Sequence, residues 1–492
     1  VLYVRGSVTE QDIERIVTKH GLNWFLHKAS MAELMAKLKR AGHSVLQIKS
    51  VQNANIYQWV GSDSDDQVLE KKSARDIVDA LRHGVVPGSN LGLLMVGQET
   101  ARDHLAEILF EVNGDKSHFK FIRGQYGSGK TFLCSWLKEF ALDHEFAVSF
   151  LNISHDQPLS DLPIFFSGMI NGLRTPEKTD SSALVDILES WLLNIHNKTA
   201  VLEGLGNSAP RTPEFNKIVE QSIEVELANL NGIESGFSQA LRAFYNGKLN
   251  KDMELVSNAV AWITGSRSLS AQALREIGVK GHLEANNVFP RMRAILEIIS
   301  GARYKGLLLL VDELELVRKF PHARQREQAL ETLRLLIDES GKNGLPGCLL
   351  LFTGTDEFFE DERYGLKSYE ALAERVMTPM SHGSFVSMRQ PIISLESLDR
   401  ERLSHVIFKI RDLYGIAYSW NAAGYADDDS IRKLIEEWTM FGEEEVDRKP
   451  RPILRQFIQM LDLCNENKGV HLSQFLKKSA VLSGSDQSFT QN

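Results

Sequence analysis

Gly124, Gly127 and Gly129 lead into Lys130 and Thr131 in the run Gly124-Gln125-Tyr126-Gly127-Ser128-Gly129-Lys130-Thr131-Phe132, with the spacing G-x-x-x-x-G-K-T. Glycines at these intervals let successive backbone N–H groups turn inward on an anion. Lys130 then reaches the outer phosphates of a nucleotide, and the Thr131 hydroxyl is placed to ligate Mg²⁺. A short apolar strand, Phe121-Ile122, precedes the run. An amphipathic helix from Thr131 to about Phe140 follows, and its N-terminal dipole adds to the pull on phosphate. This context on both sides separates the motif from a chance glycine turn.

A second constellation completes the chemistry. Leu307-Leu308-Leu309-Leu310-Val311 is an unbroken apolar run ending in Asp312 and Glu313. Such a run suits a strand buried on both faces of a parallel sheet, with its carboxylates at the C-terminal edge where α/β sheets bind ligands. Asp312 is the expected partner of Thr131 on Mg²⁺, and Glu313 is placed to polarise an attacking water. The pair therefore predicts hydrolysis of ATP.

Further residues would make the site a switch. Leu349 to Thr355 repeats the buried-strand pattern, and Thr353 at its polar end should emerge beside Asp312, in the role called sensor 1 in the AAA+ class. The helix pattern Ser368 to Val376 carries Arg375 near its end, where an arginine can reach a neighbouring subunit's nucleotide or simply complement the helix dipole. Arg363 and Arg389 are substitutes for that role. Val96 and Gly97 lie just before the phosphate loop, where many nucleotide switches carry V-G-R-E lining the adenine pocket; Gln98 stands here in place of that arginine. Arg451 and Arg455, at the start of a late helix, are candidates for a second sensor.

These residues need a scaffold. Strands at Ala147 to Ile153 and Gly347 to Thr353, with the two before the loop and the carboxylates, make at least four for a parallel sheet. The interval from Lys130 to Asp312 is longer than such a sheet requires. Helical patterning fills it, as in Phe237-Leu241-Phe244-Tyr245 and Val256-Val260-Trp262. We therefore expect an α/β fold: a P-loop parallel sheet at 94–398 with a helical insertion at about 159–303, and a helical lid at 399–482. Leu403, Val406, Ile407, Ile410 and Leu413 form one lid stripe; Ile431, Leu434 and Ile435 begin another. Ile453, Leu454, Phe457, Met460 and Leu461 line a third helix, opened by Pro452. The polar stretch 483–492 reads as a disordered tail.

Before the ATPase region, a linker at 83–93 contains Val85-Val86-Pro87-Gly88. The first 82 residues suggest a winged-helix-like domain: a helix capped by Thr9, another capped by Ser30, then a hairpin of Val45–Ile48 and Ile56–Val60 about Asn53-Ala54-Asn55. Residues 1–60 carry eight Lys/Arg against four acids in a chain of net charge −9. Lys37, Lys39, Arg40 and Lys49 are the candidates for DNA contact, although a basic helix face is equally often just solvated.

Composition excludes several classes. With 43% hydrophobic and 25% charged residues, the 492-residue chain is that of a multidomain globular protein. No apolar run is long enough for a membrane span, and the expected location is the cytoplasm. Cys134, Cys348 and Cys464 lie far apart in apolar segments, which suits core packing rather than disulfides or zinc. The acidic clusters Asp427 to Asp429 and Glu443 to Glu445 read as exposed loops.

Three stretches together resemble the ATP-binding proteins of BREX phage-exclusion systems, the BrxC/BrxD-like group: Gly124 to Thr131, Gly306 to Glu315, and Leu351 to Arg363. Ala240 to Tyr245, Trp262 and Leu274 to Val279 add to the likeness, which covers about 90–465 and is nearest the shorter BrxD-like form. The resemblance implies an AAA+ ATPase related in architecture to origin-recognition proteins, using ATP and Mg²⁺. It also implies work in bacterial defence with DNA and with a helicase or another defence-system protein. Arg375 in trans would add an ATP-dependent homo-oligomer. The rival reading is a nucleotide-binding regulator or scaffold with little turnover that presents its winged helix to DNA or protein. A P-loop kinase acting on a small molecule fits the lid and sensors less well.

Overall fold

The structure, a computed structural model, describes residues 8–9, 47–51, 54–58, 63–113, 116–154, 156, 158–204, 213–377, 387–440 and 450–476. It divides into two compact units: His83–Lys409 with Ile431–Phe457, and Val1–Arg82 with Ile410–Ser430 and Ile458–Asn492.

Within the second of these units lies a three-stranded antiparallel sheet. Its strands are β1 (Val8–Thr9), β2 (Gln47–Val51) and β3 (Ala54–Gln58), in the order β1-β3-β2. The hairpin strands pair from Gln47↔Gln58 to Val51↔Ala54, so Ala54 and Asn55, expected in the turn, lie in β3. Thr9 pairs with Ile56 in β1, and the helix expected after it, through about Lys19, lies outside the described residues. Ser30, Lys37, Lys39 and Arg40 lie outside the described residues; Lys49 is in β2 opposite Ile56. A helix the pattern did not reveal, α1 (Asp63–Arg82), follows. At its last turn Arg82 forks onto both oxygens of Asp462 at 2.9 and 2.8 Å and donates to the Tyr418 hydroxyl. Tyr414 donates to the same carboxylate at 2.7 Å. In this unit Asp427 accepts from the Ser430 N–H and Arg411 pairs with Asp428, so this acidic cluster opens a helix rather than a free loop.

The larger unit is built on a six-stranded sheet: β4 (Ser117–Arg123), β5 (Ala147–Asn152), β6 (Leu173–Arg174), β7 (Leu307–Asp312), β8 (Cys348–Gly354) and β9 (Ile392–Ser394). Their order is β6-β5-β7-β8-β4-β9. The four expected strands pair in parallel, β9 adds a fifth parallel strand, and only β6 runs antiparallel. Because β6 lies between the helices Leu162–Asn171 and Leu184–Leu202, the inserted segment is not wholly helical: it lends an edge strand to the sheet.

Alternation along the strands divides the core in two. Phe121, Leu307, Leu309, Val311, Leu350 and Phe352 face one layer, which also holds Phe237, Phe244 and Trp262 from the inserted helices. Ile122, Val148, Leu308, Leu310, Leu349 and Leu351 face the other, against Leu105, Leu133 and Leu137. Every residue of β7 and β8 is buried, which is why both read as continuous apolar runs. Cys134, Cys348 and Cys464 are buried and reduced, and burial pushes the Cys348 thiol up to about 12. Among the described residues no helix is long and apolar enough to cross a membrane.

Candidate functional site

Strand order sets the geometry. β8 lies between β7 and β4, so the C-terminal ends of three strands converge: β7 ending at Asp312, β8 at Gly354 just after Thr353, and β4 at the phosphate loop. Register pairs Val311 with Phe352 and Ile122 with Thr353, which brings Asp312, Thr353 and the start of the loop to one level.

Beyond β4 the chain turns through Gly127 and Gly129, both in the left-handed region at φ 87° and 91°, and enters the helix Lys130–Asp143. A Cβ on Gly124 would lie 2.4 Å from the Ser128 Oγ and 3.0 Å from the Leu395 carbonyl, so a side chain there would disrupt the loop. Lys130 is 8% exposed. Its Nζ donates to the Gly124 and Gln125 carbonyls at 2.7 and 3.1 Å, folding the ammonium back over the loop. Burial lowers its pKa, and the Glu315 and Asp312 carboxylates counter that fall. An outer phosphate approaching this ammonium would replace the two carbonyls.

Asp312, 4% exposed, is held on both oxygens. One accepts from the Thr131 hydroxyl at 3.2 Å. The other accepts from the Thr353 hydroxyl and from the Glu313 N–H, the latter at 2.9 Å. Glu313 takes φ +66°, a left-handed conformation uncommon for a residue with a side chain, and its carboxylate is exposed.

The donor set suits Mg²⁺ on a nucleotide better than an all-protein metal cage. One hydroxyl and one carboxylate face the same space, and Mg²⁺ ordinarily completes its shell with phosphate oxygens and waters. Among the described residues no cluster of three or more His, Cys, Asp or Glu stands ready to hold a metal. The Ser128 Oγ is buried without a partner, as is one oxygen of Glu315, so the loop region retains unsatisfied polar capacity.

The other expected residues are placed as follows. Gln125, Tyr126 and Gly127 form the exposed crest of the loop, while Phe132 packs on the core beneath it. Val96 and Gly97 lie in the turn before the helix Glu99–Glu111, and Gln98 reaches from there to donate to the Ser128 carbonyl at 2.8 Å. Arg375 donates to Asp338 and to the Ala371 carbonyl, so it is engaged within its own chain. Arg363, Arg389, Arg451 and Arg455 are exposed.

Two residues at the site escaped the sequence reading. Gln98 registered only as a substituted arginine. Glu315, 5% exposed, has its pKa raised by burial and lies close enough to Lys130 to interact with its charge. The signal was present in Leu314-Glu315-Leu316-Val317, a carboxylate inside an apolar stretch three residues beyond Asp312.

The family model for BREX system ATP-binding protein BrxC/D matches residues 69–480. The chain belongs to this family. The expected resemblance is thereby met, and with it an ATP-binding protein of a BREX system. Among curated proteins no sequence match is found. Among solved structures, a chain of Drosophila ORC bound to DNA is 12% identical with TM-score 0.34, over 91% of this chain and 73% of that one. The Aeropyrum pernix ORC2 protein in ADPNP-ADP complexes is also 12% identical, with TM-score 0.31, over 74% of this chain and 68% of that one.

Proposed function

We propose that this BrxC/D-family protein is a Mg²⁺-dependent AAA+ ATPase that couples ATP binding and hydrolysis to DNA binding or to assembly with a helicase partner in phage defence. The observation that carries the reading is the chain Thr131–Asp312–Thr353 beside Lys130, assembled from three adjacent strand ends. In this scheme the N–H groups of Gly124 to Thr131 cradle the phosphates and Lys130 neutralises the outermost one. Thr131 and Asp312 hold Mg²⁺, which supplies charge neutralisation at the transferring phosphoryl group. Thr353 fixes the Asp312 carboxylate by hydrogen bonding, and Glu313 orients the attacking water from its exposed position.

Hydrolysis needs the leaving phosphate's charge stabilised, and the arginines are the candidates. Arg375 would act on a neighbouring copy after releasing Asp338, and Arg451 or Arg455 would approach from the helical lid. Lys37, Lys39, Arg40 and Lys49 would contact the DNA backbone. The proposed division is a winged-helix-like domain at 1–82, the ATPase at 94–398 with its inserted segment, and the lid at 399–482, in a cytoplasmic protein.

Phosphate release measured on the parent and on Glu313→Gln tests the scheme. Loss of general-base assistance is worth about 10²–10⁴-fold, so Glu313→Gln should retain ATP and turn over slower by that order. Equal rates would remove Glu313 from the chemistry.

A second reading is favoured by the engagement of Arg375 with Asp338. An Arg375 held within its own chain suits a regulator that binds ATP and scarcely hydrolyses it. Turnover that stays at background with and without duplex DNA selects this alternative.

A further inference from the structure

The geometry points to Gln98 as the residue that sets the phosphate loop and links its occupancy to the helix Arg400–Tyr418. The inference rests on the reading of Gly124 to Thr131 as a nucleotide loop. It adds a positioning role that the loop motif itself does not contain.

Gln98 Nε2 donates to the Ser128 carbonyl at 2.8 Å. A carbonyl only accepts, so the nitrogen side of the amide must face it. In a trans peptide the C=O and the following N–H point in opposite directions. Pinning the Ser128 carbonyl toward Gln98 therefore aims the Gly129 N–H the other way, and so fixes the direction of one of the N–H groups that the proposed scheme turns on the phosphates. The contact is close: a Cβ on Gly129 would stand 2.3 Å from the same Nε2. The Gln98 Oε1 is buried without a partner, so this side chain is fixed by its grip on the loop and not by its own satisfaction.

The segment carrying Gln98 is held from its other side. Lys409 donates to the Met95 carbonyl at 2.8 Å. The Arg402 side chain lies against Gly97, where a Cβ would fall 2.6 Å from its Cδ. Arg402 is itself held by Glu396 at 2.8 Å and Asp399 at 3.5 Å. Residues 95–98 thus form a strut with the loop peptide at one end and one helix's two cations at the other. When a phosphate draws Lys130 off the Gly124 and Gln125 carbonyls, the Ser128–Gly129 peptide readjusts. Gln98 passes that readjustment to Gly97 and Met95, and so to Arg402 and Lys409.

Hydrogen exchange on the full chain, with and without saturating Mg²⁺-ATP, tests the link. In the parent, ATP should slow exchange over 124–131 and alter it over 95–98 and 400–409. Gln98→Glu keeps the volume but cannot donate to a carbonyl. It should retain protection over 124–131 at saturating ATP and lose the response over 400–409. Lys409→Met, which leaves the loop untouched, should uncouple the helix in the same way and decides the matter if Gln98→Glu fails to fold. A response over 400–409 that persists in both variants overturns the inference, as does a parent whose loop is protected while 400–409 stays unchanged. A parent with no protection over 124–131 removes the ATP reading itself, an outcome distinct from the other two.

Discussion

The Thr131 hydroxyl donates to the Asp312 carboxylate at 3.2 Å across 181 residues of sequence. One side chain opens the helix after the phosphate loop and the other ends β7, so their meeting depends on the parallel sheet that sets β7 two places from β4. Hydrogen bonds to a charged group contribute about 1.5–3 kcal/mol, and each 1.4 kcal/mol is roughly tenfold in affinity. Thr131→Ala should therefore weaken Mg²⁺-ATP binding about tenfold or more, while binding measured in EDTA changes little. Equal losses in both conditions would mean that Thr131 serves the loop's fold and not the metal.

Gly129 carries φ +91° and has the Gln98 amide against it. Gly129→Ala strains the backbone and collides with that amide, so ATP affinity should collapse while the far-ultraviolet circular dichroism stays that of the parent. Retained affinity would show that the loop tolerates a different path.

Lys120 is buried in β4, and its Nζ donates to the Met388 and Gln390 carbonyls at 2.7 and 2.6 Å. Burial lowers its pKa to about 8, below the ordinary lysine value near 10.4. The unfolded chain then binds more protons than the folded one between these values, so this group makes stability rise with pH through that window. Denaturant melts at pH 7 and pH 9.5 should show the parent gaining on Lys120→Met at the higher pH. A difference independent of pH would mean that Lys120 titrates normally.

Phe352 stacks on Phe121 with ring centroids 5.0 Å apart and has no exposed surface. Phe352→Ala should cost about 3–5 kcal/mol of unfolding free energy, the range for emptying a packed aromatic site. A loss below about 1 kcal/mol would mean that this side of the sheet repacks freely.

How much of this was legible follows from where the information sits. The Gly124 to Thr131 turn is local, fixed by glycines and by the strand and helix on either side, and it could be read directly. β7 and β8 were legible because burial on both faces leaves continuous leucines. The meeting of Asp312 with Thr131 and Thr353 was expected from the motifs, whereas the strand order that produces it is not encoded in sequence periodicity. β6, two residues long, and α1, with its many charges, gave no periodic signal strong enough to read. Gln98 could be compared only with an arginine it replaces, because its contact is to backbone and backbone carries no sequence mark. Arg375 was placed on the right helix, but its tie to Asp338 is a tertiary contact. The helix pattern around it held no trace of that partner.

The account stands most directly on whether a triphosphate and its metal bind between Lys130 and Asp312. Calorimetric titration of ATP with Mg²⁺ into the parent, Lys130→Ala and Asp312→Asn measures this. The account predicts saturable one-to-one binding in the parent, strongly weakened by either substitution and by chelating the metal. A parent that shows no heat of binding at saturating Mg²⁺-ATP, or variants that bind as the parent does, would contradict it.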